Sequence, residues 1–123
     1  MTLIYQHRIA RADLRANPDV LYIFGDNCAR AGFGGQAAAM RGEPNAIGVR
    51  TKRQPNLGPS AFFTDADATE CLGYWRHDLA PARDHHKRGG VVVMPLDGIG
   101  TGFARLSPAL MELLAGEIAL AFA

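Results

Sequence analysis

The chain is 123 residues long, the size of one domain covering residues 1–123. Its Leu, Ile, Val and Phe content stands above the roughly 20% floor below which a chain is expected to stay disordered. Charged residues are 20% and the net charge is +1, which excludes the strong field of a dedicated nucleic-acid or anionic-membrane binder.

In chain order, residues 3–9 form a first strand candidate. Val20-Leu21-Tyr22-Ile23-Phe24 is an apolar run of strand formers ending in Gly25-Asp26-Asn27, and reads as a buried strand feeding a loop. Residues 35–40 contain three consecutive alanines and predict a short helix. Residues 46–51 are a strand candidate inside a segment, 42–59, that its three prolines otherwise mark as loop. Residues 60–64 are a weaker strand candidate. Residues 65–79 predict an amphipathic helix with Ala68, Leu72, Trp75 and Leu79 on one face. Val91-Val92-Val93-Met94-Pro95-Leu96 is a second buried strand, emptying into a loop with Gly98, Gly100 and Gly102. Ser107-Pro108 is an N-cap followed by proline at the first helical position, and starts the last helix. The pattern is α/β.

The longest apolar runs are too short or too polar to span a bilayer, and no charged leader with a cleavage site opens the chain. Cys28 and Cys71 have no metal-ligand spacing, so reduced thiols in the cytoplasm are expected. His85 and His86 are adjacent, and His7 and His77 stand apart from them. No metal site and no cofactor are expected.

Two loops can carry chemistry. Residues 24–36 place Gly32, Gly34 and Gly35 between a strand and a helix, and Asp97-Gly98-Ile99-Gly100-Thr101-Gly102-Phe103 does the same after the second buried strand. Glycines there let backbone amides approach an anion closely. Two such loops at the carboxyl ends of buried strands suit a phosphorylated ligand in the crevice of an open α/β sheet. Neither a dinucleotide-binding G-x-G-x-x-G nor a P-loop is present. Basic positions are written almost entirely as Arg, with Lys52 and Lys87 the two lysines. Lys can lose its proton when desolvated and then act as nucleophile or base, which Arg cannot do.

Together these stretches resemble the macro domain, the ADP-ribose-binding α/β/α module, over about residues 8–122. Ala12-Asp13-Leu14 looks like the family's Gly-Asp-Ile/Leu, whose Asp receives the adenine amino group. Asp26-Asn27 and the glycines that follow look like the loop around the distal ribose and phosphates. Residues 94–103 are similar to the Pro-x-Ile-Gly-x-Gly loop that wraps the diphosphate. Thr51-Lys52 matches the Thr-Lys pair of the terminal ADP-ribose glycohydrolases, in which the Lys is catalytic. Phe103-Ala104-Arg105-Leu106 departs from that branch, Ala104 standing where it has an acid. The chain also resembles small macro-like proteins of bacteria and phages.

The resemblance implies a three-layer α/β/α macro-domain-like fold with a mixed central sheet, shorter than usual. It implies an ADP-ribosyl glycohydrolase acting at C1″, with Lys52 catalytic and Asp97 as the substitute acid/base. Ligand contacts fall to Asp13, Leu14, Asp26, Asn27, Gly32, Gly34, Gly35, Gln36, Thr51, Gly98, Ile99, Gly100, Thr101, Gly102 and Phe103. The partner is ADP-ribose or an ADP-ribosylated protein or nucleic acid, met by a monomer. The rival reading is a non-catalytic ADP-ribose-binding module, favoured by Ala104 and the small size. A NAD-dependent Rossmann enzyme is third, disfavoured by the missing fingerprint.

Overall fold

The computed structural model describes residues 2–123. Four strands, β1 (Thr2–Gln6), β2 (Leu21–Asn27), β3 (Ala46–Lys52) and β4 (Val91–Pro95), alternate with four helices, α1 (Arg11–Ala16), α2 (Ala37–Met40), α3 (Ala68–Lys87) and α4 (Pro108–Ala121). The strands lie in one sheet in the order β1-β4-β2-β3, and every pairing is parallel. This corrects the expected macro-domain-like fold with a mixed sheet. Each strand here is followed by a helix that returns the chain to the same end of the sheet, so the next strand enters in the same direction.

The central strands are buried on both faces, and alternation divides their side chains between two cores. Ile23, Val49, Val92 and Met94 pack with Trp75 and Leu79 of α3 and Leu110 and Leu114 of α4. Tyr22, Phe24 and Val93 pack on the other face with Leu14 of α1 and with Ala37 and Met40 of α2. Fully burying one large apolar side chain contributes about 1.5–3 kcal/mol, so the larger α3/α4 core is the main source of stability. Trp75 is wholly buried and donates its indole N–H to the Arg50 carbonyl at 2.7 Å, fastening α3 to β3.

Several local expectations change. The first strand ends at Gln6 rather than residue 9, and a short helix, α1, follows that was not predicted. The Asp13 carboxylate caps it by accepting the Ala10 N–H at 2.8 Å. Residues 60–64 are not a strand: Pro59–Ala61 is a 3-10 turn. The helix predicted over 65–79 begins as a 3-10 turn at Asp65–Asp67 and continues through Pro81 to Lys87. Pro81 lies on the exposed side, while Leu79 and Ala82 stay in the core against the sheet and buried His86 packs edge-on to the Phe122 ring. The Ser107 hydroxyl accepts the Leu110 N–H at 3.2 Å, capping α4. Among the described residues, no helix is long and apolar enough to cross a membrane.

The topology fixes where a ligand can sit. The chain leaves β2 toward α2 on one face, whereas it leaves β3 and β4, the neighbours of β2, toward α3 and α4 on the other. Loops that part to opposite faces open a crevice at the carboxyl ends of the strands between them.

Candidate functional site

A cleft of about 560 Å³ occupies that crevice, within the usual range for small-molecule sites. One wall is the β2–α2 loop, the other the β4–α4 loop, and the end of β3 with Pro55 and Leu57 completes the rim. The segment between β3 and the Pro59–Ala61 turn is thus part of the site and not merely a connection.

Of the expected ligand residues, Asp26, Asn27, Gly32, Gly34, Gly35, Gln36, Thr51, Lys52, Gly100, Thr101, Gly102 and Phe103 line the cleft. Five do not. Leu14 is wholly buried in the α1/α2 core. Asp13 serves α1 and accepts the Gln6 amide at 3.1 Å. Asp97 is exposed and outside the cleft wall. Ile99 is buried in the α3/α4 core, and Gly98 offers its carbonyl to Gln36. Sequence reasoning missed Phe33, Arg41, Pro55 and Leu57 among the lining residues. A phenylalanine between glycines, outside any strand or helix period, was the available signal for Phe33.

Gln36 holds the two walls together. Its Oε1 accepts the Gly25 N–H at 2.8 Å and its Nε2 donates to the Gly98 carbonyl at 2.9 Å. Beyond Gln36 the walls present backbone. Among the described residues, the N–H groups of Gly32, Phe33, Gly34 and Gly35 on one side, and of Gly100, Thr101, Gly102 and Phe103 on the other, donate to no protein acceptor. Runs of free amides in such loops form anion-binding concavities. Phe33 and Phe103 are 66% and 61% exposed, so each wall also carries an apolar ring open to solvent.

The charge of the site is cationic. Asp26 is the sole carboxylate among the lining residues. It is buried, and it pairs with Arg30 at 3.0 Å and with Arg41. Arg30 adopts the left-handed backbone (φ 52°) and is held there by Asp26, by the Gly48 carbonyl at 2.7 Å and by Asp78 of α3 at 2.9 Å. Asp78 also receives the Arg50 guanidinium and backbone N–H. These two buried acids therefore organise the arginines and leave no negative charge free toward the cleft.

Lys52 is 7% exposed at the end of β3. Among the described residues its ammonium makes no ion pair or hydrogen bond; it stands 5.0 Å from the Phe62 ring centre. Burial, and secondarily the Arg105 charge, push its pKa below the ordinary 10.5. Arg50 and Arg53, the neighbours in sequence, are instead paired with Asp78 and with Asp67 and Glu70. A desolvated, unpaired amine in a cleft is a candidate nucleophile or base. Among the described residues, no group of three or more His, Cys, Asp or Glu could hold a metal ion.

The model of a family of unknown function (DUF7831) matches residues 4–117, and the chain belongs to that family. No curated protein and no solved structure matches.

Proposed function

We propose that this member of the DUF7831 family binds ADP-ribose or an ADP-ribosyl group in the cleft, and that Lys52 hydrolyses its C1″ linkage. The observation that carries the reading is the pair of cleft-lining runs, residues 32–35 and 100–103, whose amides donate to no protein acceptor, beside an unpaired buried lysine. Free amides, with Arg41 and Lys52 among the lining residues, suit a diphosphate; exposed Phe33 and Phe103 suit a stacked ring. The choice of ADP-ribose follows from the likeness of Ile99-Gly100-Thr101-Gly102 to the macro domain's diphosphate loop and of Thr51-Lys52 to the Thr-Lys pair of the terminal ADP-ribose glycohydrolases.

In this reading the neutral Lys52 amine attacks C1″, and the bond from C1″ to the leaving group breaks with its electron pair departing on that group. The ammonium proton passes through solvent to the leaving group. Water then displaces Lys52 from C1″, one of its protons passing to the lysine nitrogen as the bond from that nitrogen to C1″ breaks, releasing ADP-ribose and restoring the amine. Asp26 is engaged by arginines and Asp97 lies outside the cleft wall, so no carboxylate takes part. That same lack of a free carboxylate favours the second reading, a module that binds ADP-ribose without consuming it. The protein would act as a monomer in the cytoplasm, where its free thiols, Cys28 and Cys71, stay reduced.

Calorimetric titration with ADP-ribose, beside NAD, ADP and AMP, tests the site. Tightest binding by ADP-ribose is expected, and absence of heat with all four would dismiss the reading. Incubation with ADP-ribosylated protein and DNA then separates hydrolase from reader, since only a hydrolase releases free ADP-ribose.

A further inference from the structure

The cleft is rich in polar side chains, yet almost none is free. The Asp26 carboxylate accepts from Asn27 N, from Arg30 and twice from Arg41. Asn27 is closed on Ala31 at both ends of its amide, donating to the carbonyl at 2.8 Å and accepting the N–H at 3.4 Å. Gln36 is likewise occupied at both ends, by Gly25 and Gly98. Arg41 directs four of its N–H bonds to Asp26 and to the Gly32 and Ala31 carbonyls. Among side chains, what remains for a ligand is the Lys52 ammonium, the Thr101 hydroxyl and the rings of Phe33 and Phe103; the loop amides are taken up by the diphosphate.

This inventory limits what the site can distinguish. Selection among nucleobases needs fixed donors and acceptors that meet one base edge and are left unpaired by another. A hydroxyl such as that of Thr101 rotates to donate or accept and imposes no such choice. Aromatic rings stack on every base, since every base has a π-face. Asp13, the one residue expected to read adenine, is not among the residues that line the cleft, and its Oδ2 is held by Gln6 and Ala10. The geometry points to a base-blind site: nucleoside diphosphates and their sugar conjugates are taken through the diphosphate and one stacked base, without selection among adenine, guanine, uracil and cytosine. The inference rests on the nucleotide reading above and narrows its ligand class.

The test is titration of the intact protein with ADP, GDP, UDP and CDP, and with inorganic pyrophosphate. Affinities within about fivefold for the four nucleotides, each well above pyrophosphate, are expected. The Phe103→Ala variant, altered at an exposed side chain, should weaken all four by about tenfold or more, the scale of one lost stacking contact, and leave pyrophosphate unchanged. A preference beyond about fivefold for any one of the four nucleotides overturns base-blindness while leaving the nucleotide site in place. Nucleotides no tighter than pyrophosphate overturn the stacking role of the rings. No binding by any probe removes both this inference and the reading it rests on.

Discussion

Lys52 and Arg105 share one aromatic ring: the Lys52 ammonium lies 5.0 Å, and the Arg105 guanidinium 5.4 Å, from the centre of Phe62. The ring favours both cations through its face, but burial penalises the lysine charge, and the Arg105 charge repels it further. The outcome is a lysine whose proton is held less tightly than that of an exposed one.

A pH dependence follows. Lys52 sheds its proton in the folded protein below 10.5, where the unfolded chain still keeps it. Stability therefore rises with pH between the lowered pKa and 10.5. Lys52→Met should remove that rise and stabilise the protein at pH 7 by about 0.5–2 kcal/mol, as relief of a functional strain commonly does. Chemical unfolding across pH measures this. If Lys52 acts as the neutral amine, turnover in the wild type climbs over the same pH range, and Lys52→Ala binds ADP-ribose without releasing it.

Gln36→Glu separates the two bonds that join the cleft walls. The substitution keeps an acceptor for Gly25 N–H but turns a carboxylate against the Gly98 carbonyl, which loses its donor. A cost of about 1–3 kcal/mol is expected, with weaker ADP-ribose binding as the walls separate. Thermal unfolding and calorimetry on the variant read the two effects.

Asp78 is buried in α3 and has Arg30 and Arg50 as its ion-pair partners. Asp78→Ala leaves both guanidiniums without it and should cost about 3–5 kcal/mol. Since Arg30 also pairs with Asp26 in the cleft wall, affinity should fall in proportion to the disorder of residues 27–31, which amide exchange reports.

Gly100 has φ +87°, and a Cβ there would meet Leu106 Cδ1 at 2.6 Å and Met111 Sδ at 2.9 Å. Gly100→Ala combines a left-handed backbone with overpacking against α4, and should cost about 1–3 kcal/mol. The urea midpoint should drop, and ADP-ribose affinity with it.

Glu70 sets part of the acid limit. Hydrogen bonds from Arg53 and Tyr74 pull its pKa from 4.5 to about 2. The folded form thus favours the carboxylate, and its contribution, complete above 4.5, is lost as pH falls toward 2. Glu70→Gln should flatten the stability profile between those values.

Elements with a strong local signature were legible from sequence. The apolar runs of β2 and β4 cannot be anything but buried, glycines mark the loops after them, and Ser107-Pro108 starts α4 as its chemistry requires. Helix α1 was illegible because six residues are too short for a period, and the far half of α3 because Pro81 conceals that burial continues beyond it. Asp13 and Leu14 illustrate the same limit at the site: the resemblance of Ala12-Asp13-Leu14 to the macro-domain motif implied ligand contacts, while the fold uses one as a helix cap and the other as core.

An α/β chain with two glycine loops and a lysine at the end of a strand follows from the order of the residues, since these features depend on composition and near neighbours. Tertiary structure alone decided that the sheet is entirely parallel, that the loops of β2 and β4 part to opposite faces, and that Gln36 joins them across 62 residues. It also decided that Lys52 faces Phe62 and Arg105 instead of a carboxylate. Strand direction, wall-to-wall bonds and the field around a buried amine all depend on groups far apart in the chain, and only packing brings those together.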